Sequence, residues 1–131
     1  MSERAKNYRS FPKYVTVYDI DWNVGDLPQE KYDIVIGFSL GAVLACEYAL
    51  KHKVRKLILC SLTPGTESLK DIKADEVVFL VGEKERWCLK EIKRISKTLK
   101  CKSKIIIVPK ATHKITGNYK EKMLKIINNS I

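Results

Sequence analysis

At 131 residues the chain has room for one domain around a single core. Its 45% hydrophobic and 31% charged residues describe an ordinary soluble globular protein, and no run approaches the roughly 18 apolar residues of a membrane span. The formal charge of +10 could draw nucleic acid or anionic lipid, but lysine outnumbers arginine and is spread over every predicted helix and loop. That spread argues against a specific nucleic-acid-reading face, which concentrates arginine and interleaves aromatics. The four cysteines, Cys46, Cys60, Cys88 and Cys101, show no C-x-x-C spacing. They are expected to be reduced and mostly buried, with no metal site.

Residues 1–13 are polar and basic, with Pro12 near the end, and are expected to form an arm or irregular cover. Residues 14–131 are expected to form the domain. Because the first residues lack an apolar signal region, a cytoplasmic location is expected. The β-branched and aromatic run Tyr14–Ile20 predicts a strand, followed by a loop carrying Gly25 and Pro28. Asp33–Ile36 predicts a second strand, and Leu40–His52 a helix so apolar that it should lie buried on a sheet. His52, between two lysines at that helix's end, is expected to be solvated. Val54–Cys60 is the third predicted strand. The segment 61–75, with Thr63-Pro64-Gly65-Thr66, reads as a loop too short for a separate lid. Glu76–Val81 and Ile105–Val108 predict two more strands. Helices are expected over about Arg86–Leu99, with Cys88, Ile92, Ile95 and Leu99 inward, and about Asn118–Asn128, with Tyr119, Met123, Ile126 and Ile127 inward. Short, continuously apolar strands alternating with helices imply an α/β three-layer sandwich of about five mostly parallel strands, with helices on both faces.

Three loops at the carboxyl ends of these strands carry the chemistry, and open α/β sheets bind ligands at that edge. Gly37-Phe38-Ser39-Leu40-Gly41 lies between a strand and a helix. A sharp turn there would hold a serine hydroxyl exposed at a helix N-terminus, with both glycines relieving collisions between strand and helix. Ser39 as a mere helix cap is the competing reading. Gly82-Glu83-Lys84-Glu85-Arg86-Trp87 follows the fourth strand and Pro109-Lys110-Ala111-Thr112-His113 the last. The order serine, acid, histidine is one in which hydrolytic triads occur. Glu85 could instead be only an acid favouring the dipole of the following helix.

On these three loops the chain resembles the α/β-hydrolase superfamily, in particular its small single-domain esterase-like members, over roughly residues 14–131. The resemblance implies Ser39 as nucleophile, His113 as general base and Glu85 as acid, with Glu83 as the alternative acid. It implies an oxyanion donor at the N–H of Leu40. The His-Gly pair that often marks the second donor loop is absent from this chain. If the Tyr14–Ile20 strand lies beside Asp33–Ile36, the loop bearing Trp22 could supply that donor. Phe38 and Trp87 are candidate substrate contacts; Trp87 and Trp22 could equally pack over the sheet's end.

The expected activity is hydrolysis of small ester or thioester substrates through an acyl-enzyme on Ser39, without cofactor, metal or membrane. Either a homodimer or residues 1–13 are expected to cover the edge of a shortened sheet. The alternatives are a weak or inactive hydrolase-fold binding protein and a basic polyanion-binding module.

Overall fold

The computed structural model describes residues 27–62, 68–115 and 117–130. The arm at 1–13, the predicted Tyr14–Ile20 strand, Trp22 and the Thr63–Thr66 turn lie outside the described residues. Within them the order is β1 (Ile34–Phe38), α1 (Leu40–Lys51), β2 (Val54–Cys60), a 3-10 turn (Ser68–Asp71), β3 (Ala74–Gly82), α2 (Arg86–Ser96), β4 (Lys102–Val108) and α3 (Gly117–Asn129). The four strands form one parallel sheet in the order β1-β2-β3-β4. A fifth strand is not among the described residues.

Burial explains why these segments are strands. Leu57–Cys60 of β2 and Val77–Gly82 of β3 are buried without interruption, as central strands covered on both faces require. The edge strand β4 exposes Lys102 and Lys104, charges that oppose further strand pairing. Because those residues are polar, hydrophobic patterning alone starts this strand about three residues late. Likewise β1 runs on through Gly37 and Phe38, which pair with Leu59 and Cys60.

Alternate residues of each strand feed two cores. One holds Leu57, Leu59, Val77 and Phe79 under α1, the 3-10 turn and α2. The other holds Ile58, Cys60, Val78 and Leu80 under α3, through Tyr119, Met123, Ile126 and Ile127. Parallel strands laid down in sequential order need crossovers of one hand, which puts the connecting helices on one face. Helix α3, which follows β4, covers the opposite face. Helix α2 stops three residues short of the predicted Leu99. There the Ser96 and Thr98 hydroxyls donate to the carbonyls of Lys93 and Ile95, bonds that compete with helix continuation. His52 is not simply solvated: its ring stacks on Tyr48 at 4.5 Å. Among the described residues, no helix is long and apolar enough to cross a membrane.

The two glycines flanking Ser39 differ. A Cβ on Gly37 would lie 2.2 Å from the Gly41 carbonyl oxygen and 2.8 Å from Ala42 Cα. Only glycine lets α1 close on β1 there. A Cβ on Gly41 would meet no described atom within 4 Å, so the steric reason read for both glycines holds for the first alone. Gly37→Ala is therefore expected to lower unfolding free energy by at least about 1–3 kcal/mol. Gly41→Ala should be neutral or stabilise by up to ~1 kcal/mol. Urea denaturation of the two variants checks the contrast.

Candidate active site

Ser39 occupies the turn between β1 and α1, with φ 58° and ψ −119°. A positive φ is strained for any residue with a Cβ, by about 1–2 kcal/mol. The turn is held by the Ser39 N–H donating to the Cys60 carbonyl at 2.8 Å and the Ala42 N–H donating to the Ser39 carbonyl at 3.0 Å. Although Ser39 stands at the N-cap, its side chain makes no capping bond. The hydroxyl instead lies 2.7 Å from His113 Nε2. Leu40 opens α1, where the first N–H groups have no intrahelical acceptor.

Glu85 closes the turn between β3 and α2 and is 8% exposed. Its Oε2 accepts from the Gly82 N–H at 2.7 Å and from the Ser61 hydroxyl at 2.7 Å. Its Oε1 is hydrogen-bonded to His113 Nδ1. Glu83 points elsewhere: its Oε1 accepts from the Lys110 N–H at 2.8 Å. Together with the Lys84 N–H donating to the Ala111 carbonyl, this ties the loop after β3 to the loop bearing His113. Gly82 permits that approach, since a Cβ there would lie 2.4 Å from the Ala111 carbonyl oxygen.

Phe38 packs its ring 5.2 Å from His113 and edge-on to Tyr119 at 5.6 Å. Trp87 is 75% exposed, so it is not a core residue closing the sheet's end. Two further residues join the site that sequence patterning did not single out. Ser61, fully buried just beyond β2, stands 2.6 Å from the hydroxyl of Tyr119, also fully buried. Burial pushes the Tyr119 phenol well above its ordinary pKa, so it remains protonated. Neither had a local signal: Ser61 read as the first residue of a loop and Tyr119 as part of an apolar stripe.

The arrangement has a definite proton polarity. An ionised Glu85 accepts the Nδ1–H of His113, which leaves the Nε2 lone pair facing the Ser39 hydroxyl. The Oγ proton can then move to Nε2, and the imidazolium so formed sits against a carboxylate. Glu85, Cys88 and His113 also bring one donor atom each within 4.8 Å of one another. In this arrangement Glu85 and His113 are hydrogen-bonded to each other, and burial together with the Glu85 charge pushes the Cys88 thiol up.

A family model described as the alpha/beta hydrolase fold matches residues 1–85. The chain belongs to that family. The family indicates hydrolase-type chemistry, and the match spans the Ser39 turn and reaches Glu85. No curated protein matches this hydrolase-fold chain as a relative. His113 lies beyond the matched residues and is joined to the other two side chains by the hydrogen bonds above.

All four cysteines are free thiols. Burial pushes Cys46 up to about 12 and Cys60 higher still, and raises Cys88 and Cys101 as well. A raised thiol pKa means little thiolate, so alkylation should accelerate as pH rises. At pH 8, iodoacetamide is expected to modify Cys88 and Cys101 slowly and Cys46 and Cys60 only after denaturant, as read by peptide mass spectrometry.

Proposed function

We propose that the protein is a serine hydrolase acting on small ester or thioester substrates. The observation that carries this reading is the unbroken hydrogen-bonded line from Ser39 Oγ through His113 to Glu85, built on a strained strand-to-helix turn. Ser39 Oγ attacks the substrate carbonyl carbon while its proton passes to His113 Nε2. The tetrahedral oxyanion forms beside the N–H of Leu40, and its collapse expels the alcohol or thiol, which takes the proton from Nε2. Water then attacks the acyl-enzyme, giving a proton to Nε2, and Ser39 leaves with that proton restored.

Glu85 is the acid because its carboxylate meets His113 Nδ1, whereas Glu83 is engaged with the Lys110 backbone. It holds the tautomer and stabilises the imidazolium. Trp22, after the Tyr14–Ile20 run, is the candidate for the second oxyanion donor, a group worth roughly 10²–10³ in rate. Leu40, next to Ser39, and Trp87, in the first turn of α2, are exposed apolar side chains that offer surface to an acyl or leaving group. Phe38, half-buried, packs against the imidazole and so supports His113.

Hydrolysis of p-nitrophenyl acetate and butyrate tests the reading. Ser39→Ala is expected to abolish turnover above background. Glu85→Gln should lower kcat by about 10²–10⁴ through loss of the correct tautomer and of imidazolium stabilisation. Glu83→Gln should stay within about threefold of wild type, an effect below ~1 kcal/mol. A chelator should leave turnover unchanged. Equal turnover by wild type and Ser39→Ala would refute the proposal.

A further inference from the structure

We infer that Ser61 and Tyr119 are positioning residues: a buried, one-directional hydrogen-bond relay from the Tyr119 phenol through the Ser61 hydroxyl to Glu85 orients the acid for His113. The inference rests on the serine hydrolase reading, whose line of side chains it extends by two buried groups.

The direction follows from counting protons. An ionised carboxylate only accepts, so the single Ser61 hydroxyl proton points at Glu85 Oε2, 2.7 Å away. The Ser61 oxygen is then an acceptor, and the Tyr119 hydroxyl 2.6 Å away must donate to it. Tyr119 has a competing acceptor in the Leu80 carbonyl, but at 3.3 Å. Burial keeps the phenol protonated and so a permanent donor. With Gly82 N–H and Ser61 O–H both on Oε2, the carboxylate cannot turn, and Oε1 is left to His113. A glutamate has one more rotatable bond than an aspartate. Anchoring the far oxygen is what lets the longer side chain hold one geometry.

The backbone at Ser61 points the same way. Its φ is 50°, a conformation glycine would adopt without strain. The N–H of Ser61 donates to the Leu80 carbonyl at 2.7 Å, placing the hydroxyl at the carboxyl end of β3 under Glu85. A serine held there against its backbone preference is accounted for by what its hydroxyl reaches. The hydroxyl bonds to a charged group, of a class worth about tenfold or somewhat more when removed.

The test compares wild type, Ser61→Ala, Ser61→Gly, Tyr119→Phe and the Ser61→Ala/Tyr119→Phe double variant. Alanine keeps the strain and loses the hydroxyl; glycine loses both. The two are expected to lower kcat/KM alike, by roughly tenfold and mainly in kcat, and to move the acid side of the pH–rate profile to higher pH. That shift arises because a carboxylate deprived of a donor favours uptake of a proton by its pair with His113. Tyr119→Phe should have a smaller effect and add little to Ser61→Ala, since the tyrosine acts through the serine. The downfield proton resonance of His113 Nδ1–H should move in Ser61→Ala and Ser61→Gly, and this readout stands even if wild type shows no Ser39-dependent turnover. An unchanged resonance in both Ser61 variants, or an unchanged pH profile in an active enzyme, would overturn the inference. So would additive effects of Ser61→Ala and Tyr119→Phe.

Discussion

The Glu85 carboxylate is the joint on which the site depends. It gathers donors from three places: Ser61 just past β2, Gly82 at the end of β3, and His113 in the loop after β4. A carboxylate 8% exposed is costly to desolvate unless its lone pairs are met. Here they are met by groups that the sheet brings together, so satisfying the charge and assembling the site are one event. No buried side-chain nitrogen or oxygen among the described residues lacks a partner.

Strain is concentrated at the same edge. The positive-φ residues other than glycine among those described are Ser39, Ser61 and Lys110, each one or two residues past the end of β1, β2 or β4. Such conformations persist only where surrounding bonds over-determine them. Each has such bonds: Ser39 through the Cys60 carbonyl, Ser61 through the Leu80 carbonyl, and Lys110 through Glu83. The rest of the fold relaxes onto ordinary packing, with close-fitting small residues in α1 and continuous apolar strands at the centre. The opposite end of the sheet is fastened by surface ion pairs such as Arg55 with Asp33, which contribute little individually.

Much of this was legible in the sequence because it is written in local pattern. The apolar runs of β2 and β3, the inward stripe of α3 and the Gly37–Gly41 turn are each contained in a short window. Glu85 was set ahead of Glu83 only by resemblance, because both lie within one turn and the path of the 109–113 loop is what brings His113 to one of them. Ser61 and Tyr119 were invisible as site residues: their meeting depends on α3 folding across the second face of the sheet, a contact 58 residues apart in the chain. The early start of β4 was hidden by its lysines, which suit an edge but not a hydrophobic pattern.

The central claim is that Ser39 is an activated nucleophile, and covalent labelling by a fluorophosphonate probe, located by mass spectrometry, tests it most directly. The account predicts one adduct, on Ser39, formed by wild type and abolished in His113→Ala while that variant remains folded. Absence of label on Ser39, or labelling at an equal rate without His113, would contradict it.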